Sequence, residues 1–186
     1  GLGDVYKRQA YILLNGQAAV DALAACGRRG VKVASILAGG FADGGAAGAS
    51  MQEELQRIVR DTGIRLVGPN SIGTVSTDPP MALTANAAFA VEKLRTGSWG
   101  LVSQSGSLIG ALLSRADARG LGFSRLISVG NEVDLAVGEL ADLLVDDPKT
   151  RAILLFMETL RDGPRLARAA RRAHAAGKPA IAPVCE

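Results

Sequence analysis

An apolar strand runs straight into a helix start within residues 100–107, Gly100-Leu101-Val102-Ser103-Gln104-Ser105-Gly106-Ser107. A strand, a tight turn of small residues and a helix over 107–119 form the repeating unit of an α/β sheet. The N-terminus of such a helix offers unpaired N–H groups and the positive end of the helix dipole, which favour an anion. With the hydroxyls of Ser105 and Ser107, and Gly106 allowing close approach, the pattern predicts a phosphate site. An ordinary serine N-cap followed by a tight turn has the same sequence, so both interpretations stay open here.

The same alternation of strands and helices extends in both directions along the chain. Downstream, the hydrophobic periodicity predicts strands at 124–129, 152–157 and 180–184 and helices at 137–145 and 164–176. Upstream, it predicts strands at 11–14, 31–37 and 64–67 and helices at 17–27 and 51–62. Ser50 and Glu53 match a capping box at the start of the second of these helices. Residues 72–97 lack helical periodicity and contain Pro79-Pro80, so we expect a connector with one short strand near 81–84. The β-α-β order demands parallel sheets.

Composition agrees with closely packed helices on a sheet. Hydrophobic residues make up 48% of the 186 residues but aromatic residues only 4%, so most core side chains are small. The net charge of +3 is spread out, apart from a cluster of Arg168, Arg171 and Arg172 in one predicted helix. We interpret this cluster as a solvated helix face and expect no nucleic-acid partner.

Cysteine content and hydropathy bear on the cellular compartment. Two isolated thiols, Cys26 and Cys185, form neither a disulfide framework nor a metal cluster. No apolar run approaches the roughly 20 residues of a membrane span, and we expect no signal peptide. We therefore expect a cytoplasmic protein with no metal site and no membrane association.

Both ends of the sequence suggest an internal piece of a longer protein. Residues 1–9 do not begin with Met and have no counterpart in the strand–helix pattern, so we interpret them as a non-native leader. The last residues, 183–186, directly follow a predicted strand, where a doubly wound fold would continue.

Ligands bind beyond the carboxyl ends of strands in open parallel sheets, which selects three further places. Two of them are the glycine-rich loop Gly39-Gly40-Phe41-Ala42-Asp43 and the turn Gly68-Pro69-Asn70-Ser71. A flexible loop and a purely structural turn would have the same residues. The third is Glu158, whose carboxylate could orient a base or accept a proton, or could simply lie in water at the rim. We expect His174, in a surface helix, to be exposed and inert.

These segments, in this order, resemble the NDP-forming acyl-CoA synthetases, the superfamily of acetate–CoA ligase (ADP-forming) and the succinyl-CoA synthetase α-subunit. The segments similar to its CoA-binding domain are 36–41, 53–55 and 63–73. Those similar to its succinyl-CoA-ligase-like flavodoxin domain are 102–108, 122–124, 128–134, 146–148 and Glu158. The resemblance implies an α/β fold with parallel sheets. Residues 10–96 would form the C-terminal part of a Rossmann-like CoA-binding domain, and residues 97–186 a truncated flavodoxin-like domain.

The resemblance also implies an activity. Acyl-CoA and phosphate would exchange to acyl phosphate and CoA, and the phosphoryl group would pass to a histidine and then to a nucleoside diphosphate. The residues implied to bind coenzyme A are Gly39, Gly40, Phe41, Pro69, Asn70 and Ser71, and many relatives have cysteine in place of Ser71. Ser105, Gly106 and Ser107 would hold the phosphate. Glu158 would be the catalytic carboxylate that hydrogen-bonds the phosphorylated histidine.

Parts of that machinery have no counterpart in this chain. They are the histidine loop, whose position His174 does not match, the first glycine-rich loop for the CoA phosphates, and the ATP-grasp part that binds ATP or ADP with Mg²⁺. The implied function is therefore an acid–CoA ligase that acts on CoA and a carboxylic acid or acyl-CoA only together with an ATP-grasp domain or β-subunit. A non-catalytic CoA-sensing module, as in fused protein acetyltransferases, is the alternative. A flavin-binding domain is a third, disfavoured because few aromatic residues are available to stack on a flavin ring.

Overall fold

The computed structural model describes residues 8–84 and 94–182, which form two compact units. Unit 1 comprises residues 8–71 and 131–135, and unit 2 comprises residues 72–84, 94–130 and 136–182. The domain boundary predicted from the sequence, at 96/97, stays a prediction. Most of the predicted leader lies outside the described residues, as do Cys185 and the last part of the predicted strand 180–184. Gln9, by contrast, is already the first residue of a strand.

The part of unit 1 that the structure describes is a parallel sheet with two α-helices. Its elements are β1 (Gln9–Ile12), α1 (Gly16–Arg28), β2 (Val33–Ile36), α2 (Ala46–Thr62) and β3 (Arg65–Val67), with strand order β1-β2-β3. The apolar face of each helix and the sheet form one core, which includes the fully buried Leu23, Ile36, Leu55 and Leu66. The predicted parallel β-α-β-α-β order is confirmed.

Helix α2 begins earlier than the sequence predicts. Its N-cap is Gly45 and no side chain caps it, so Ser50 lies inside the helix and the predicted capping box is wrong. A 3-10 turn over Ala42–Gly44 precedes the helix in the loop after β2. The small residues at 46–49 then continue the helix, and Gly48 lies against the carbonyl groups of Gly40 and Phe41, where a larger residue would clash.

In unit 2, the described residues form a six-stranded sheet with order β5-β4-β7-β6-β8-β9. Its strands are β4 (Gly73–Thr77), β5 (Pro80–Thr84), β6 (Thr96–Ser103), β7 (Phe123–Ser128), β8 (Ala152–Phe156) and β9 (Ala180–Ile181). Its helices are α3 (Gly106–Asp117), α4 (Val137–Asp146) and α5 (Gly163–Ala175). β6 to β9 are parallel, which confirms the predicted α/β fold. β4 and β5 add an antiparallel hairpin where only one short strand was predicted, and β4 also pairs antiparallel with β7.

The arginines of α5 pair with the acidic residues of α4. Arg172 binds Asp142 at 2.6 Å and Asp146 at 2.8 Å, and Arg168 lies 3.8 Å from Asp142. Arg171 forms no ion pair within the described residues. The side chains of Arg168 and Arg172 remain 56% and 41% exposed, so the interpretation of the cluster as a solvated helix face agrees with the structure. Two of its arginines also pair with α4, which lies beside α5.

Other surface expectations concern isolated residues. His174 is exposed on α5, and Cys26 is a half-buried free thiol in α1. Within residues 8–84 and 94–182, no three His, Cys, Asp or Glu side chains are grouped as a metal site would require. None of the helices described has the length and apolar character of a membrane span.

Candidate functional site

The predicted phosphate residues lie in unit 2, where β6 enters α3. Ser105 is the N-cap, with φ −91° and ψ 116°, yet its side chain makes no capping hydrogen bond. Its Oγ lies 3.2 Å from the Oγ of Ser107 instead. Ser105 thus occupies the N-cap position without the side-chain bond of an ordinary serine cap, and phosphate binding at this turn stays a prediction. The first N–H groups of α3 have no side-chain cap within the described residues, which is the condition that anion binding requires.

Packing against Ile72 requires a glycine at position 106, which the sequence alone did not indicate. A Cβ at this position would lie 2.6 Å from Cγ2 of Ile72, closer than real contacts allow. Ile72 is held there because its N–H donates to Ser128 Oγ at 3.2 Å and its carbonyl accepts from Thr84 Oγ1 at 2.7 Å. The glycine thus allows Ile72 to pack against the first turn of α3. The sequence had suggested only the approach of an anion.

Glu158 lies two residues beyond the end of β8, at the same sheet edge as the Ser105–Ser107 turn. Strands β6 and β8 are neighbours, and Ser103 pairs with Phe156. The carboxylate is exposed and forms no hydrogen bond or ion pair with the residues described. It is therefore available to a ligand or to another part of the protein.

Gln104 links this turn to Glu158. Its Oε1 accepts hydrogen bonds from the N–H groups of Glu158 at 2.6 Å and Thr159 at 2.9 Å. Its Nε2 donates to the carbonyl of Thr159 at 2.8 Å. The sequence predicts no role for Gln104, since the only signal was a long amide side chain one residue beyond a buried strand.

In unit 1, the glycine-rich loop after β2 is organised around Asp43. Its carboxylate accepts hydrogen bonds from the N–H groups of Gly40 at 2.9 Å and Phe41 at 3.2 Å. Asn131 donates to it at 3.0 Å, and this bond with the one from Gly40 lowers the pKa of Asp43. The amides of Gly40 and Phe41 are thus already bonded. The Phe41 ring is fully buried in the core. Gly39 is exposed, and its backbone N–H has no hydrogen-bond partner within residues 8–84 and 94–182.

The turn after β3 lies beside this loop within unit 1. The Gly68–Pro69 peptide bond is cis, and Asn70 is exposed with φ +59°, a left-handed conformation that Asn tolerates better than most residues. A Cβ at Gly39 would lie 3.2 Å from Asn70 Oδ1 and 3.3 Å from Asp43 Oδ2, so these three residues converge. Pro69 and Ser71 are buried. Of the turn residues predicted to bind CoA, only Asn70 therefore exposes its side chain.

Asn131 joins the loop and the turn. Its Nδ2 donates to Asp43 and, at 3.0 Å, to Gln52 Oε1, while its backbone N–H donates to the carbonyl of Pro69 at 2.9 Å. Its Oδ1 lies 3.5 Å from Nδ2 of Asn70. Asn131 belongs to the segment 128–134, which resembles the flavodoxin-like domain, but the sequence predicts no contact for it. Its side-chain partners Asn70 and Asp43 lie 61 and 88 positions away.

Residues 131–135 are held along β3 by charge and by backbone bonds. Arg65 binds both carboxylate oxygens of Asp134, at 2.8 and 3.2 Å, and the N–H of Leu66 donates to the same carboxylate. The N–H of Val133 donates to the carbonyl of Gly68. Asn131 therefore occupies a position set by the backbone as well as by its own side chain.

The acidic segment 146–148 has a structural role in unit 2. Asp147 accepts from Thr150 Oγ1 at 2.8 Å and from Arg125 at 3.4 Å. Thr150 is fully buried and also bonds the hydroxyl of Ser124 on β7 at 2.7 Å. These bonds join the end of α4 to the core of the sheet, so we assign Asp147 a structural role.

Comparison with known proteins agrees with this architecture. Residues 96–184 match the family described as the succinyl-CoA ligase like flavodoxin domain. The α subunit of the ADP-forming acetate–CoA ligase I of Pyrococcus furiosus is 36% identical over 156 residues, which are 84% of this chain. A trans-feruloyl-CoA synthase from an unknown prokaryotic organism is 34% identical over 87% of the chain. The chain spans only 33% and 23% of the length of these two relatives.

A solved structure shares the fold of nearly the whole chain. The apo form of the dinucleotide-forming acetyl-coenzyme A synthetase 1 of Ca. Korarchaeum cryptofilum matches with a TM-score of 0.86 at 29% identity, covering 97% of this chain and 39% of that one. The same enzyme has been solved with phosphate and ADP, and that form matches with a TM-score of 0.83 at 28% identity, covering 97% of this chain and 38% of that one.

Proposed function

Because the chain belongs to the NDP-forming acyl-CoA synthetase superfamily, we propose that it supplies the phosphate-binding and CoA-binding loops of an acid–CoA ligase. The proposed reaction interconverts acyl-CoA, nucleoside diphosphate and phosphate with a carboxylic acid, CoA and nucleoside triphosphate. The relatives named as ADP-forming ligases and as α subunits support this assignment. The structure solved with phosphate and ADP supports it as well.

The reactive histidine is proposed to lie on a loop outside this chain. The nucleotide site is proposed to lie in an ATP-grasp domain or a β-subunit that binds ATP or ADP with Mg²⁺. The chain spans only 33% of the length of the Pyrococcus furiosus α subunit, which leaves room for further parts. The proposed division of the chain is 10–96 for CoA binding and 97–186 for the flavodoxin-like domain, and the family match at 96–184 supports the second of these.

One observation carries the proposal: Gln104 holds the Glu158 backbone beside the uncapped start of α3. The free N–H groups and the hydroxyls of Ser105 and Ser107 can bind the charged oxygens of a phosphate without a cation from this chain. The exposed carboxylate of Glu158 can accept a hydrogen bond from a ring N–H of an incoming imidazole. This bond would fix which ring nitrogen carries the proton. Together these groups can receive a phosphoryl group and orient the histidine that takes it.

The geometry of unit 1 narrows the CoA proposal. Like any aspartate with an ordinary or lowered pKa, Asp43 is ionised at neutral pH, and the hydrogen bonds from Asn131 and from the N–H of Gly40 lower its pKa. A carboxylate beside Gly39 and Asn70 repels phosphate oxygens but tolerates neutral amides. We therefore assign Gly39 and Asn70 to the amide-containing pantetheine arm of CoA, and no CoA phosphate to this loop.

Phosphoenzyme formation in the full-length protein tests the proposal. Wild-type protein incubated with γ-labelled ATP or GTP should become labelled at histidine and should lose the label to ADP or GDP. Glu158→Gln removes the charge that favours the imidazole orientation, and labelling should fall at least about 100-fold. Glu53→Gln, at an exposed position on α2, is the matched control and should label normally.

Two results would contradict the proposal in different ways. Normal labelling of Glu158→Gln would remove the assigned role of Glu158. A wild-type protein that binds CoA but neither becomes phosphorylated nor forms acyl-CoA would support the non-catalytic CoA-sensing module instead.

A further inference from the structure

We infer that Gln104 is a positioning residue that fixes Glu158 relative to the phosphate turn. This inference rests on the proposed function, because it concerns how the same site is held together. The inference requires no contact between Gln104 and the substrate. Gln104 acts through its hydrogen bonds to the backbone of Glu158 and Thr159.

The carboxamide replaces the strand pairing that ends just before it. The last main-chain bond between the two strands runs from the N–H of Gln104 to the carbonyl of Phe156 at 3.0 Å. Beyond that point, the Gln104 side chain accepts from two successive N–H groups, those of Glu158 and Thr159, and donates to the Thr159 carbonyl. A side chain thus supplies both the acceptor and the donor that a neighbouring strand would otherwise provide.

A glutamine side chain can bond all three backbone groups, because it has one acceptor for the N–H groups of Glu158 and Thr159 and one donor for the Thr159 carbonyl. A glutamate would keep the acceptor but place negative charge against the Thr159 carbonyl, and a methionine of similar length would offer no donor. The amide is also neutral, so it adds no charge that would repel a phosphate at the adjacent Ser105. Because Gln104 directly precedes Ser105, one residue connects the turn before α3 to the segment that bears Glu158.

Replacement of Gln104 by methionine in the full-length protein tests the inference. The variant keeps side-chain length and removes the three bonds, so Glu158 should lose its fixed direction. The rate of phosphoryl transfer to histidine should fall about 10- to 100-fold. The KM for inorganic phosphate should stay within about twofold, because Ser105, Ser107 and the α3 amides are retained.

A double-mutant cycle separates an effect through Glu158 from general damage. In a Glu158→Asp background the carboxylate is already displaced, so adding Gln104→Met should lower the rate by less than about threefold. Gln56→Met is the matched control, since Gln56 lies on α2 and forms no side-chain hydrogen bond within the described residues; it should leave the rate unchanged. If Gln104→Met does not fold, Gln104→Asn keeps the amide but shortens it beyond reach of Thr159, and should show the same loss.

The outcomes distinguish the inference from the proposed function. An unlabelled wild-type protein means that the proposed function has failed. A labelled wild type, an inactive Glu158→Gln and a fully active Gln104→Met overturn the inference alone. It is also overturned if the losses are fully additive, or if Gln104→Met acts mainly by raising the KM for phosphate.

Discussion

The side-chain amide of Asn131 donates to the carboxylate of Asp43 at 3.0 Å, across 88 positions of sequence. The same carboxylate accepts the N–H groups of Gly40 and Phe41. One side chain, at the centre of the 3-10 turn Ala42–Gly44, therefore bonds three groups of the glycine-rich loop and its neighbouring segment.

Replacement of Asp43 by asparagine should destabilise the chain in a pH-dependent way. At pH 7 the variant should lose about 1 kcal/mol of unfolding free energy, because its NH₂ group cannot accept all of the bonds that the carboxylate accepts. The folded-state pKa of Asp43 is lowered. Its contribution is thus present above the ordinary carboxyl value, about 4, and is lost as pH falls through the lower folded value. Urea unfolding from pH 7 to pH 2 should show the difference shrinking below about pH 4. Asp61→Asn, at the exposed end of α2, is the control, and a pH-independent difference would contradict the argument.

Ser105→Ala should cost almost no stability, although Ser105 is an N-cap residue. Its hydroxyl makes no capping bond, so we expect a loss below about 0.5 kcal/mol, whereas true caps typically contribute about 1 kcal/mol. Asp162 provides the contrast, since its carboxylate accepts from Arg165 N at 3.0 Å at the start of α5. Asp162→Ala should therefore lose about 1 kcal/mol in the same urea titration. Equal losses in the two variants would mean that Ser105 caps α3 after all.

Gly106→Ala should destabilise unit 2 in the absence of any ligand. The new Cβ would lie 2.6 Å from Ile72 Cγ2, and overpacking of this kind costs about 1–2 kcal/mol. Adding Ile72→Ala should recover part of the loss, so the double variant should be more stable than the sum of the two single effects. Full additivity, measured by urea unfolding, would show that Gly106 and Ile72 do not contact each other.

Arg172→Ala should lower the melting temperature more than Arg171→Ala. Arg172 pairs with Asp142 and Asp146, and these pairs raise its pKa, whereas Arg171 has no ion pair within the described residues. The two arginines lie on the same helix, so Arg171→Ala controls for helix propensity. The difference between the variants should shrink in high salt, which screens exposed pairs. A difference that persists in molar salt would point to apolar packing of the Arg172 stem.

Much of the fold could be predicted because its signals are local. Apolar runs of strand length and helical periodicity identified the core elements of both units, and the carboxyl ends of the strands placed Ser105 and Glu158 at one edge. The start of α2 was mispredicted because Ser50 and Glu53 match a capping box by spacing alone, while the close packing of Gly48 against the preceding loop lies outside such a pattern. The β4–β5 hairpin was partly missed because its polar strands lack a clear alternation.

Residue order alone was enough to establish an alternating α/β chain with parallel pairing and glycine- and serine-rich turns beyond its strands. Folding in three dimensions established which side chains hold those turns: Gln104 for Glu158, 54 positions away, Ile72 for Gly106, and Asn131 for Asp43. Hydrophobic periodicity acts over a few residues, so a local reading captures it. Hydrogen bonds between distant polar groups depend on how packed strands and loops bring them together, and no spacing rule in the chain encodes that.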